Sequence, residues 1–99
     1  MTRVAEQVFT APEDIAHLRT QIEALPNGAH VRLHMKDGSV QRGTVAGRPM
    51  AQVFFDPDGR QGTNSVVRLE EPAMEHPETA SWREVWLHRV ERIERLDPP

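Results

Sequence analysis

Val31-Arg32-Leu33-His34-Met35-Lys36, followed by Asp37-Gly38, is the stretch on which the fold turns. Apolar Val31, Leu33 and Met35 alternate with polar Arg32, His34 and Lys36, and His30 extends the polar set. A period of two places one set on each face of a strand, one buried and one wet. Asp37-Gly38 then predicts a tight hairpin turn, because both residue types tolerate positive φ. The returning strand is expected over about residues 39–46. Its alternation breaks, since Val40 and Val45 have opposite parity with Gly43 between them. That predicts a bulge or a bend where backbone passes close to backbone.

Upstream of the hairpin the period is helical. Ile15, Leu18, Ile22 and Leu25 recur at spacings of three and four and share one face. Thr10 and Glu13 have capping-box spacing, and Pro12 sits where its missing N–H costs little, so a helix is expected over about residues 10–25 with Thr10 at its start. Pro26, Asn27 and Gly28 end it. Downstream, Val53, Phe54 and Phe55 read as a short strand stopped by the turn Asp56-Pro57-Asp58-Gly59, and a further strand is expected from Thr63 to Glu70. Residues 71–81 read as an exposed excursion. The ending has two readings. Trp82, Val85, Trp86, Leu87, Val90, Ile93 and Leu96 fit one side of an amphipathic helix. They also fit a strand from Glu84 to His88, a single turn, and a closing strand from Arg92 to Leu96.

The 99 residues, 37% hydrophobic and 5% aromatic, suffice for one small domain spanning the whole chain. No apolar run approaches a membrane span, and the beginning lacks the order of a signal peptide, so a soluble, unexported, cytoplasmic protein is expected. Without cysteine there is neither a disulfide framework nor thiolate chemistry. A net charge of −3 argues against a protein dominated by nonspecific phosphate binding.

Val31 to Gly38 and then Gly43-Thr44-Val45 resemble the first Sm motif: alternating apolar residues, an Asp-Gly turn, and a glycine within a bent second strand. Leu87 to Leu96 resembles the strand, turn and short strand that close Sm-like and SH3-like barrels. As a whole the chain looks like a family of small uncharacterised bacterial proteins on a variant Sm-like barrel. That resemblance implies a mainly β domain with one N-terminal helix and a small, five-stranded, strongly bent antiparallel barrel over about residues 29–97. It does not carry over RNA-binding residues. Pro49 stands where the family has an Asp, Val53 where it has a base-reading Asn, and Trp86 and Leu87 where it has Arg-Gly.

Four residues form the most basic local feature. His30, Arg32, His34 and Lys36 share the wet face of one strand and are the possible phosphate or RNA contact. His30 and His34 could also approach a metal, but no third ligand is at a suitable spacing, so neither a metal nor a cofactor is expected. His17, His76 and His88 are read as unrelated to them. Arg83, Arg89, Arg92 and Arg95 are interleaved with Glu84, Glu91, Glu94 and Asp97, which reads as a self-compensating surface. Asp56 and Asp58 read as turn residues rather than a calcium loop. No nucleophile elbow, phosphate-cradling loop or zinc-protease helix is present, and a non-enzymatic binding module is the expectation. Trp82 and Trp86, with Val85 and Leu87, are the possible interface of a homo-oligomer, a dimer rather than a ring, formed through an edge strand. The alternatives are a divergent RNA-binding protein using the basic strand face and, more remotely, a metal protein or enzyme.

Overall fold

A computed structural model of the chain describes residues 3–71 and 81–96. One helix, α1 (Pro12–Glu23), precedes seven strands: β1 (His30–Met35), β2 (Val40–Val45), β3 (Gln52–Phe55), β4 (Gln61–Asn64), β5 (Val66–Glu71), β6 (Ser81–Trp86) and β7 (Val90–Arg95). A single 3-10 turn, Leu87–Arg89, joins β6 to β7. The strand–turn–strand reading of the ending is therefore the one adopted. The expected excursion between Glu71 and Ser81 lies almost wholly outside the described residues.

Five strands form one sheet in the order β6-β5-β2-β1-β7, and β3 and β4 form a separate hairpin. A closed five-stranded barrel is thus corrected to an open, curled sheet with a hairpin beside it. The curl follows from connectivity. A flat five-stranded sheet spans roughly 19 Å from edge to edge, whereas three residues of 3-10 turn rise only about 6 Å. β6 and β7 occupy opposite edges, so the sheet must bend to let this turn link them. Leu87 N–H donates to the Ser65 carbonyl at 3.0 Å and Lys36 N–H to the Arg89 carbonyl at 2.9 Å, which staples the turn to both sides. No ladder pairs β6 with β7, and the bend stops short of closure.

The expected strand from Thr63 to Glu70 is two strands in two sheets. Asn64 and Ser65 at the break are both fully buried, an arrangement that apolar counting does not anticipate. Their polar atoms are all engaged. Asn64 Oδ1 accepts from Ser65 N–H at 2.7 Å, and Ser65 Oγ donates to the Met50 carbonyl at 2.8 Å. Buried polar groups persist only when bonded in this way.

The helix begins later than the capping box implied. Ala11 is the cap residue, in an extended conformation, and no side chain bonds the first turn. Pro12 disfavours helical geometry in the residue before it, which excludes Ala11 from the helix and leaves Thr10 outside. Phe9 is also held in a bridge to Thr63, with paired N–H to carbonyl bonds of 2.8 Å. The predicted apolar face is the buried one, with Leu18, Ile22 and Leu25 packed on Val31, Leu33, Val45, Val67, Leu69, Val85, Leu87 and Val90. Gln21 breaks the apolar stripe for a reason. Its Nε2 donates to the Leu87 and Val90 carbonyls at 3.3 Å each, and so the helix clamps the 3-10 turn.

The first hairpin forms, with a register from His30↔Thr44 to His34↔Val40 that is one residue away from the one a two-residue Asp37-Gly38 turn would set. Only Gly38 takes positive φ, and Gly38 N–H closes the turn on the Met35 carbonyl at 3.0 Å. This is a three-residue glycine-closed loop rather than a two-residue turn with both centres at positive φ. The bulge expected at Gly43 is absent from this ladder; the register shift lies between β1 and β7, at His34/Met35. The close backbone approach at Gly43 is present, since a Cβ there would stand 3.0 Å from the Glu70 carbonyl oxygen.

Gly62 is tighter still. A Cβ at this position would lie 2.8 Å from the Val8 side chain and 2.9 Å from the Phe9 carbonyl oxygen. Gly62→Ala is expected to push the segment around Val8 off the hairpin and to lower stability by about 1–3 kcal/mol in urea unfolding. An unchanged unfolding midpoint would show that this approach is not under constraint.

Candidate functional site

Alternation along β1 turns His30, Arg32 and His34 to the outer face, and β7 lies alongside with Arg32↔Glu94 and His34↔Arg92 in register. The basic face is therefore partly neutralised by its neighbour. Arg32 Nη1 lies 3.2 Å from Glu94 Oε1, and His34 Nε2 lies 2.9 Å from the same oxygen. Arg92 Nη2 also approaches His34 Nε2, at 3.1 Å. That nitrogen can serve only one of them, and the shorter contact to a carboxylate makes it a donor to Glu94. The His34 hydrogen bond first, and Arg32 in support, hold the Glu94 carboxyl below its ordinary range. Lys36 stands apart, exposed at the hairpin end. Among the described residues no three His, Asp or Glu side chains gather in a way that could hold a metal ion.

Of the tail arginines, Arg83 and Arg89 are compensated by partners from outside the tail. Arg83 reaches Glu71, Gln41 and the Arg42 carbonyl; Arg89 pairs with Glu6; and Glu84 is taken by Arg3 at 3.0 Å. Asp97 and His76 lie outside the described residues. Asp56 is a turn residue, its Oδ1 accepting from the Asp58 and Arg60 backbone N–H groups at 2.9 and 2.8 Å.

The four residues read as an interface have different fates. Val85 and Leu87 are core residues, 6% and 0% exposed, and present no surface. Trp86 is half-buried, edge-on against Phe54 with ring centroids 5.0 Å apart, and the Arg3 guanidinium lies over its ring. Trp82, two residues from Glu84 on the same outer face of β6, is 55% exposed, with Arg68 stacked 4.2 Å from its ring centroid. The hairpin covers one tryptophan of the strand and leaves the other open.

A site not anticipated from the sequence lies where the hairpin end meets the 3-10 turn. A cleft of about 550 Å³ is lined by Glu6, Gln7, Met35, Lys36, Asp37, Ser39, Gln41, His88 and Arg89. Asp37 accepts from the Ser39 N–H at 2.8 Å and hydroxyl at 2.5 Å, and these bonds lower its carboxyl pKa. His88 forms the inner wall, its side chain only 8% exposed. Asn64 sets its tautomer. With Asn64 Oδ1 occupied by Ser65 N–H, its amide nitrogen donates to the Gln7 carbonyl at 2.7 Å and to His88 Nδ1 at 2.9 Å. His88 Nδ1 is therefore an acceptor, and the ring proton sits on Nε2. Burial lowers the His88 pKa from its ordinary 6.5, Glu6 offsets part of that, and Arg89 and Lys36 add to it. No local spacing links residues 6, 37 and 88, and only a separation of β4 from β5 at a buried Asn could have hinted at the site.

With this geometry in hand, comparison with known proteins identifies relatives. The family described as a domain of unknown function, DUF3247, matches residues 2–96. XC5848 from Xanthomonas campestris, whose crystal structure is described as adopting a novel variant of Sm-like motif, is 28% identical with a TM-score of 0.85. The likeness covers 98% of this chain and 100% of that one. No curated protein matches the chain.

Neutral His88 should shape the pH dependence of stability. Its folded pKa lies below the unfolded value near 6.5, so between the two only the unfolded chain binds the proton. Stability is full above about pH 6.5 and falls as pH drops through the folded pKa; losses from Glu94 and Asp37 begin only below about pH 4.5. Urea unfolding from pH 5 to 7.5 should show this slope, and His88→Gln, which keeps an acceptor for Asn64, should flatten it. Parallel profiles for the two proteins would contradict the assignment.

Proposed function

The chain belongs to the DUF3247 family, and we propose that within it the chain is a non-enzymatic interaction module on an Sm-like fold that works as a homodimer joined through β6. The observation that carries this is the open edge of β6 with Trp82 beside it. β6 pairs with β5 on one side and with no strand on the other among the described residues. Proteins guard such edges with charge, proline or a cover. Here the charged residues of the strand are directed inward onto the chain, Arg83 to Gln41 and Glu71 and Glu84 to Arg3. Ser81–Trp86 holds neither lysine nor proline.

Trp82 supplies a large, rigid contact at the rim of this edge, and Arg68 holds its ring. A second copy offers the same edge and the same tryptophan, as a two-fold contact requires. The RNA-binding alternative has less support, because Glu94 engages both Arg32 and His34 on the basic face.

Sedimentation equilibrium at micromolar concentration is the direct test. A dimer is expected, and Trp82→Ala should weaken it by about 2 kcal/mol or more, a thirtyfold change in dissociation constant. A monomer at these concentrations removes the proposal. Labelled single-stranded RNA, titrated at 50 and 200 mM salt, should give no binding; steeply salt-dependent binding lost in Arg32→Ala would instead favour the basic face.

A further inference from the structure

We propose that the cleft between the hairpin end and the 3-10 turn binds a small monocarboxylate, at the position the chain's own Glu6 carboxylate now occupies. The volume, about 550 Å³, is that of a small-molecule site. The donor set is specific. His88 is held by Asn64 with its proton on Nε2, and this nitrogen faces Glu6 Oε1 at 3.9 Å, beyond hydrogen-bond reach. A side chain 8% exposed thus directs an N–H into the cleft with no acceptor among the described residues. Arg89 Nη2 grips the same Glu6 oxygen. Lys36 lines the cleft too and has no ion-pair partner among the described residues.

Charge selects the ligand class. Lys36 and Arg89 are positive and Asp37 is negative, its carboxylate held by Ser39. With Glu6 displaced, the cleft carries a single net positive charge, which suits a monoanion and disfavours a dianionic phosphate. Glu6 is half-exposed at a bend in the segment that precedes the helix, so its ion pair with Arg89 is a surface pair that an external carboxylate can replace. Half-buried Met35 offers an apolar wall to a short alkyl or aryl body. The site is separate from the β6 edge, and it stands or falls independently of dimerisation.

Side-chain 15N NMR of the full chain reads both donors directly. Butyrate, phenylacetate, inorganic phosphate and chloride are titrated at equal ionic strength. Saturable shifts at His88 Nε2 and Arg89 Nε are expected with the two carboxylates, with a weaker response to phosphate. Glu6→Gln should tighten carboxylate binding about fivefold, the equivalent of a ~1 kcal/mol surface ion pair, and Arg89→Gln should abolish it. Both substitutions are at exposed positions, and a dispersed amide spectrum confirms that each variant is folded. Shifts that do not saturate or that match chloride would overturn the proposal. So would tighter binding of phosphate than of carboxylate, or weaker carboxylate binding in Glu6→Gln.

Discussion

Everything in this fold that is not a simple hairpin passes through the buried pair Asn64 and Ser65. They end β4, begin the chain's passage to β5, and bond three separate segments through the Gln7 carbonyl, the Met50 carbonyl, and the His88 ring and Leu87 N–H of the 3-10 turn. Water cannot replace these bonds at a fully buried corner, so the polar groups must be matched by protein or the corner does not form. That requirement places the β3–β4 hairpin against the sheet and fixes where the 3-10 turn lies. The turn then draws β6 and β7 together and curls the sheet over the helix. Gln21 secures the same turn from the opposite side.

The separate hairpin also explains how the aromatic residues are used. Phe54 points inward from β3 and meets Trp86 edge-on, forming a small apolar cluster apart from the main core. Trp82 lies beyond the reach of that cluster. One strand therefore carries both a packing tryptophan and a surface tryptophan, a difference set by where the hairpin ends rather than by residue type.

Electrostatics follows the same pattern. Arg32 and His34 look like a free basic face when β1 is considered alone, but β7 sets Glu94 directly opposite. Arg89 and His88, by contrast, look like tail residues, yet the turn brings them to Glu6 and the hairpin end. Surface pairs of this kind contribute little to stability, which leaves them able to exchange partners.

The first hairpin, the apolar helix face and the Asp56–Gly59 turn were legible in the sequence because each rests on local period or turn chemistry within a dozen residues, and the Sm-like order was implied by the resemblance to the first Sm motif. Pro12 even carried the true helix start, through its effect on Ala11, although the Thr10–Glu13 spacing suggested another. The ending remained ambiguous because Trp82 to Leu96 satisfies both periods, and only pairing with β5 and β1 chooses strands. What the tertiary structure alone decided is long-range: the break at Asn64, the open sheet, the split between Trp82 and Trp86, and the cleft around His88. Each depends on contacts between residues far apart in the chain, for which neither period nor propensity leaves a local trace.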